Sequence, residues 1–335
     1  STAPETADVY LIAVPTPFKE NHEPDLKYVE SATRMILPHL NEGNLFIIES
    51  TCPVGTTDKM AQIIFEGRPE LKGEISIAYC PERVLPGKII YELENNDRVI
   101  GGLDDKSTQE AQDFYRNFVK GELHSTNART AEMCKLVENA SRDVSIAFAN
   151  ELSMISDRAG INVWELINLA NKHPRVNILQ PGTGVGGHCI AVDPWFIISE
   201  FEKEAVIIRN AREINNYKTD WVIEKIKLAA LKFEDNHDRK PIVALMGLSF
   251  KPNIDDLRES PALKVVKQLQ EENKYKYLLV EPNIKNNSNY ELSTFDYVQE
   301  HADIIVYLVA HAEFYSYQRN NKIVLDFCNI TKKPN

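Results

Sequence analysis

Cysteine is scarce in this sequence and follows no pattern. The five, Cys52, Cys80, Cys134, Cys189 and Cys328, are odd in number and lack metal-ligand spacing. That excludes a disulfide framework and a cysteine-based zinc site, and points to a reducing cytoplasm. No apolar run reaches the roughly 20 residues that span a bilayer, so no membrane partner is expected. Basic residues are in deficit: 38 Lys and Arg against 49 Asp and Glu leave a net charge of −11. This balance argues against nucleic acid or a membrane surface, while a local cluster of arginines still suits an anionic ligand. Glycine is missing from one telling place. The opening region has no G-x-G-x-x-G turn and no acidic residue about twenty positions beyond one, the features that hold a dinucleotide. The chain starts at Ser1, as if in the second half of such a domain, and roughly 60–80 residues of strand–helix units are expected to be absent. A half-sheet of this kind should expose an apolar face and an unpaired edge.

What is present reads as an ordinary globular protein, 43% hydrophobic and 26% charged, long enough for two or three domains. Apolar runs at Val9 to Val14, Leu45 to Glu49 and Ile75 to Cys80 predict buried parallel strands, with helices from about Leu26 to Leu40 and after Pro53. Sustained i, i+3, i+4 spacing predicts a long helix from Ala128 to about Ala159, stopped by Gly160. Asn162-Val163-Trp164-Glu165 resembles a capping box for a helix ending before Pro174, and another long helix covers about Ala205 to Phe233. Polar residues 234–240 predict a linker. Strands follow at Ile242 to Leu248, Tyr277 to Val280, Ile304 to Val309 and Ile323 to Phe327, and residues 302–309 echo residues 7–14. The prediction is two doubly wound α/β domains, the first incomplete at its N-terminus, flanking a helical middle. The expected boundaries are 1–125, 126–233 and 240–335.

The most informative stretch is Gly184-Val185-Gly186-Gly187-His188-Cys189-Ile190-Ala191-Val192-Asp193-Pro194. A helix starting there would put Cys189 at its N-terminus, where the helix dipole favours thiolate, and Asp193 one turn along the same face. The glycines would let a substrate approach the backbone. This is how a nucleophilic cysteine is built; the alternative is a buried structural thiol.

Six further motifs stand in order along the chain. They are Val14-Pro15-Thr16-Pro17-Phe18, residues 49–57 (Glu49 to Thr57), residues 81–87 (Pro81 to Gly87), residues 131–139 (Ala131 to Asn139), His173-Pro174-Arg175-Val176-Asn177, and residues 250–261 (Phe250 to Pro261). With the Cys189 loop they make the chain closely similar to the UDP-sugar 6-dehydrogenases, the family of UDP-glucose and GDP-mannose dehydrogenases. The resemblance implies Rossmann-like domains and oxidation of a sugar C6 alcohol to a carboxylate with NAD as cofactor. It also implies a UDP-sugar substrate and a homodimer. The variants around Arg83 and His173 point to an N-acetylmannosamine sugar made for surface polysaccharide, with UDP-N-acetylglucosamine or UDP-glucose as alternatives. A non-catalytic remnant that binds UDP-sugar is the competing reading from another class.

The resemblance also assigns roles. Cys189 becomes the nucleophile of a thiohemiacetal and thioester. Lys135 and Asn139, four apart on one helix, stabilise the oxyanion. Asp193 and Thr51 position the hydrolytic water, with Glu82 as base. Arg83, Val84, Arg142, His173, Arg175, Gly186 and Lys251, together with Lys135 and Asn139, are the expected substrate contacts, and Arg212 is a weaker candidate. The family residue matching Arg175 reaches the neighbouring subunit's sugar site. Thr16, Ser50, Thr51, Thr57 and Arg258 are the expected NAD contacts. Each has a plainer alternative: Arg142 could pair with Glu138, Arg258 with Asp255 or Glu259, and Arg212 could be a helix-surface charge.

Overall fold

The computed structural model describes residues 4–19, 22–84, 88–284, 290–316 and 322–331. The chain divides into two compact units. One comprises residues 1–140 and 193–205, the other residues 141–192 and 206–335.

The first unit is built on a five-stranded sheet: β1 (Val9–Ile12), β2 (Leu45–Ile48), β3 (Ser76–Tyr79), β4 (Arg98–Gly102) and β5 (Leu123–Asn127), in that spatial order. β1, β2 and β3 are parallel, β4 runs antiparallel to β3, and β5 is parallel to β4. Helices α1 (Lys27–Ile36), α2 (Thr56–Gly67), α3 (Ile89–Asn95) and α4 (Asp105–Arg116) connect them. β2 and β3, buried throughout, read as apolar runs because both faces are covered. Phe46, Ile48, Ile77 and Tyr79 pack with Met60, Ile64 and Ala131 on one face. Their neighbours Leu45, Ile47, Ala78 and Cys80 pack with Ala111 and Tyr115 on the other. β1 is an edge strand, and its Leu11 is 42% exposed.

α5 (Ala128–Ala159) has the predicted bounds, and Gly160 terminates it at φ +70°. The boundary between the units falls within it. α6 (Val163–Ala170) is capped by Asn162, whose side chain accepts from the Trp164 and Glu165 N–H groups. α7 (Asp193–Glu200) belongs to the first unit. α8 (Val206–His237) runs four residues past the expected linker start, so most of residues 234–240 is helix rather than linker.

In the second unit, β6 (Ile242–Met246), β7 (Lys276–Val280), β8 (Ile304–Tyr307) and β9 (Ile323–Asp326) form a parallel sheet in the order β7-β6-β8-β9. α9 (Pro261–Glu272) and α10 (Phe295–His301) complete it. Val243, Leu245, Ile304 and Val306 pack under α8 and α9, and Ala244, Met246, Ile305 and Tyr307 pack on the opposite face. Strand order reverses between β6 and β8, and ligands of such sheets bind beyond the carboxyl ends of the strands at that point.

Candidate active site

In the first unit one row of α5 gathers the polar residues. Glu132, Lys135 and Asn139 are spaced i, i+3, i+7 and so share a face. Buried Glu132 accepts from the Gly55 N–H (2.6 Å), the Thr57 N–H (2.7 Å) and the Thr57 hydroxyl (2.6 Å), capping the N-terminus of α2. Lys135 Nζ donates to the Glu82 carbonyl at 2.9 Å, at the end of β3. Asn139 Nδ2 donates to Asp193 Oδ2 at 2.5 Å. Burial pushes the Asp193 carboxyl up to about 6, against the lowering influence of the Asn139 hydrogen bond and the Lys135 charge. Asp193 is thus a carboxylate that gives up its charge easily, held between an amide and an ammonium group.

Glu82 is half-buried. Its carboxylate accepts from the Arg83 N–H at 2.6 Å and from Arg98 Nη2 at 3.4 Å. Arg98, 4% exposed at the start of β4, also stacks on the Tyr115 ring. The Tyr115 hydroxyl donates to Glu49 at 2.6 Å, and burial raises the Glu49 carboxyl. The sequence reading missed Glu49, Arg98, Tyr115 and Glu132. An acidic residue directly after an apolar strand run was the available signal for Glu49. Arg83 pairs with Glu138 at 2.8 Å, so Glu138 is engaged by Arg83 rather than by Arg142, which is exposed. Val84 is half-buried, and Leu85 to Gly87 lie outside the described residues.

In the second unit, Cys189 lies in a bend and the helix begins four residues later, at Asp193. The expected helix N-terminus at Cys189, with Asp193 one turn along, is therefore corrected: Asp193 is itself the first helical residue. None of the five cysteines forms a disulfide. A side chain on any of the three glycines just before Cys189 would run into protein. A Cβ at Gly186 would collide with the Glu259 carbonyl oxygen and lie 2.7 Å from Pro261 Cδ. At Gly187, with φ +84°, a Cβ would lie 2.8 Å from the Phe250 ring. The Gly187 N–H donates to the Arg258 carbonyl at 3.1 Å. The loop is thus locked onto the 250–261 segment, and Gly186 serves that packing.

Arg258 forms a two-pronged pair with Asp256, its closest contact 2.6 Å, rather than with Asp255 or Glu259. It also interacts electrostatically with Cys189. Lys251, in the loop after β6, is exposed and makes no ion pair among the described residues. Arg212 is neither a surface charge nor a free ligand contact. It is 2% exposed and bonds Asp143 of α5 at 2.7 Å and Asn216 at 3.0 Å. Apolar periodicity made α8 legible but gave no sign that a cation lay on its inner face. His173 and Arg175 sit in an exposed loop, where the Arg175 N–H donates to His173 Nδ1 at 3.3 Å.

Residues 1–119 match the NAD binding domain of the UDP-glucose/GDP-mannose dehydrogenase family, residues 129–217 its central domain, and residues 244–333 its UDP binding domain. The chain is 53% identical over 330 residues to UDP-N-acetyl-D-mannosamine dehydrogenase of Escherichia coli K12, covering 94% of this chain and 79% of that protein. The chain belongs to the UDP-glucose/GDP-mannose dehydrogenase family. It is 52% identical over 326 residues to an NDP-N-acetyl-D-galactosaminuronic acid dehydrogenase of Ralstonia nicotianae, covering 94% of this chain and 76% of that protein. The solved UDP-D-ManNAc dehydrogenase of Pyrococcus horikoshii superimposes with a TM-score of 0.88 at 40% identity, covering 98% of this chain and 79% of that one. The fold is the expected pair of Rossmann-type sheets. The protein is an NAD-dependent UDP-sugar dehydrogenase, with NAD as its cofactor.

The first unit fits part of that cofactor. The carboxyl ends of β1 and β2 carry half-buried Thr16 and Thr51, tied by a 2.5 Å hydrogen bond from the Thr16 hydroxyl to the Thr51 carbonyl. These are strand-end positions where a dinucleotide rests. The Ser50 hydroxyl is occupied instead by the Val14 backbone, donating to its carbonyl at 2.7 Å and accepting from its N–H at 2.8 Å. Thr57 is fully buried, and its hydroxyl donates to Glu132, so its side chain positions α2. No G-x-G-x-x-G turn occurs in residues 1–140.

Proposed function

We propose that the protein oxidises the C6 alcohol of UDP-N-acetyl-D-mannosamine to the uronic acid through a covalent cysteine intermediate, supplying surface polysaccharide synthesis. The observation that carries the chemistry is the α5 row, which fixes Lys135 at the Glu82 carbonyl and Asn139 on Asp193. When bound, NAD supplies the hydride acceptor for both oxidations, and Thr16 and Thr51 are the residues that would hold it. Lys135 takes the alcohol proton in the first step. The Cys189 thiol adds to the aldehyde carbon, giving a thiohemiacetal whose oxyanion Lys135 and Asn139 stabilise. Oxidation of that adduct leaves a thioester. Water oriented by Asp193 and Thr51 attacks the thioester, Glu82 takes its proton, and the acid leaves as the thiol is restored.

Lys251 is proposed as the contact to the nucleotide diphosphate, since an exposed ammonium that makes no ion pair among the described residues suits that group. Two features support a homodimer. Phe148 and Ile155 lie two turns apart on α5 and are 52% and 56% exposed, and Leu169 of α6 is 61% exposed. Large apolar side chains left exposed in this way suit an association surface. No helix among the described residues is long and apolar enough to cross a membrane, and the lack of any disulfide among the five cysteines favours the cytoplasm.

A second sugar has an observation behind it: identity to the galactosaminuronic acid enzyme is 52%, nearly that to the mannosamine enzyme. The test is a panel of UDP-N-acetylmannosamine, -galactosamine, -glucosamine and UDP-glucose assayed for NADH and uronic acid. Two NADH per molecule of the mannosamine substrate are expected, and no acid from Cys189→Ser. Preference for the galactosamine sugar would transfer the assignment. Acid released by Cys189→Ser at the parent rate would remove the thioester. Binding without any NADH would identify a non-catalytic binder.

A further inference from the structure

Beneath the exposed Lys251 lies a buried polar dyad that none of the steps above uses. Glu281 follows directly on β7, and His311 lies four residues beyond β8. They are 4% and 0% exposed, and His311 Nε2 lies 3.0 Å from Glu281 Oε2. The same oxygen accepts from the Leu248 N–H at 2.8 Å and the Ser249 N–H at 3.1 Å, and the other carboxylate oxygen accepts from the Asn283 N–H at 3.0 Å. Burial raises the Glu281 carboxyl, but the bonds from His311 and these N–H groups outweigh it and hold it below its ordinary value, as a carboxylate.

The far side of the imidazole completes the arrangement. The Asn253 N–H reaches His311 Nδ1 at 2.9 Å, with Asn283 Nδ2 also at 2.9 Å. Nδ1 is therefore the acceptor, and Nε2 carries the proton that faces Glu281. Between these anchors the Ser249 hydroxyl donates to the Lys251 carbonyl at 2.8 Å, and Asn253 Oδ1 accepts from the Ala312 N–H at 2.8 Å. Asn253 is held at φ +61°, in the left-handed region. Residues 248–253 are thus pinned on both sides of Lys251, at the point where the strand order reverses. A buried carboxylate that spends two hydrogen bonds, and through His311 a third, on residues 248–253 is an expensive way to hold backbone that carries nothing.

We infer that Glu281 and His311 are positioning residues for nucleotide-sugar binding, fixing the loop that presents Lys251. The inference rests on the proposed role of Lys251. The dyad touches no substrate itself and acts through the backbone of residues 248–253.

The test titrates the purified protein with UDP by calorimetry, for the parent and for Lys251→Ala, His311→Leu, His311→Asn and Glu281→Gln, with thermal unfolding of each. The Asn side-chain oxygen can take the place of Nδ1 as acceptor for the Asn253 N–H, whereas Leu offers nothing. Lys251→Ala and His311→Leu are each expected to weaken UDP by about tenfold or more, the scale of one lost charge-assisted hydrogen bond. His311→Asn should recover most of the affinity. Glu281→Gln should behave like His311→Leu, because both carboxylate oxygens face donors, so in either orientation the new NH2 meets an N–H that it cannot accept from. An unchanged affinity in Lys251→Ala removes the role of that lysine. A normal response to Lys251→Ala with unchanged affinity in folded His311→Leu and Glu281→Gln overturns the dyad alone. So does equal loss in His311→Asn and His311→Leu. Should His311→Leu fail to fold, the His311→Asn and Glu281→Gln pair decides: strong binding in the first with weak binding in the second supports the inference, and any other order refutes it.

Discussion

Asp193→Asn should make the protein more stable relative to the parent as pH rises, although it damages the proposed chemistry. Asp193 is 4% exposed, and burial raises its carboxyl from 3.8 to about 6. The folded state therefore holds a proton there that the unfolded chain has already released. The favourable contribution is fully present below the unfolded value and is lost as pH rises through about 6. The shift corresponds to about 3 kcal/mol of destabilisation once the group is ionised. Asparagine carries no charge to bury, and its oxygen can still accept from Asn139. Its NH2 group brings a desolvation cost of about 1–3 kcal/mol, but that cost is independent of pH. The diagnostic is consequently the pH dependence of the difference between variant and parent, not its value at one pH. Urea unfolding would be followed through Trp195, which lies on α7 two residues from Asp193, in a background where Trp164 and Trp221 are phenylalanine. Between about pH 4 and about pH 8 the difference should move towards the variant by up to about 3 kcal/mol, most of it before pH 7. A difference that is flat with pH would refute the argument that charge burial dominates this site.

Two further substitutions probe packing. Gly186→Ala should cost about 1–3 kcal/mol or more, read as a lowered Tm, because the new methyl meets the Glu259 carbonyl and Pro261; an unchanged Tm would show that the loop has room to shift. Arg212→Met should cost about 3–5 kcal/mol in urea unfolding by leaving Asp143 buried without its partner, and Arg212→Met with Asp143→Leu should recover much of it; equal losses in the single and double variants would contradict that account.

The elements legible in the sequence were those with a strong period. α5 could be read from end to end because its apolar spacing is sustained and Gly160 adopts a conformation that ends it. The buried strands showed as unbroken apolar runs. Residues 98–127 were left unread for an equally physical reason. β4 opens on Arg98 and ends in two glycines, and β5, Leu-His-Ser-Thr-Asn, is a polar edge strand without an alternating pattern. The position of Cys189 was misjudged because a glycine-rich loop before a helix does not reveal where the first helical residue falls. Family motifs located Lys135, Asn139, Asp193 and Glu82, and the structure draws those four together in one unit. Glu132, Glu281 and His311 escaped notice because their partners lie about 30 to 77 residues away along the chain, beyond the reach of local spacing.

The row on α5 has one more implication, for how this protein can change length. Each residue of an α-helix turns the chain by about 100°, so inserting or deleting one position between Glu132 and Asn139 would swing one end of the row away from its loops. No side-chain adjustment restores α2, the end of β3 and Asp193 to a common line. Natural variants and engineered chimaeras should therefore keep this short interval free of gaps, and accept added or missing residues only in the surface connections.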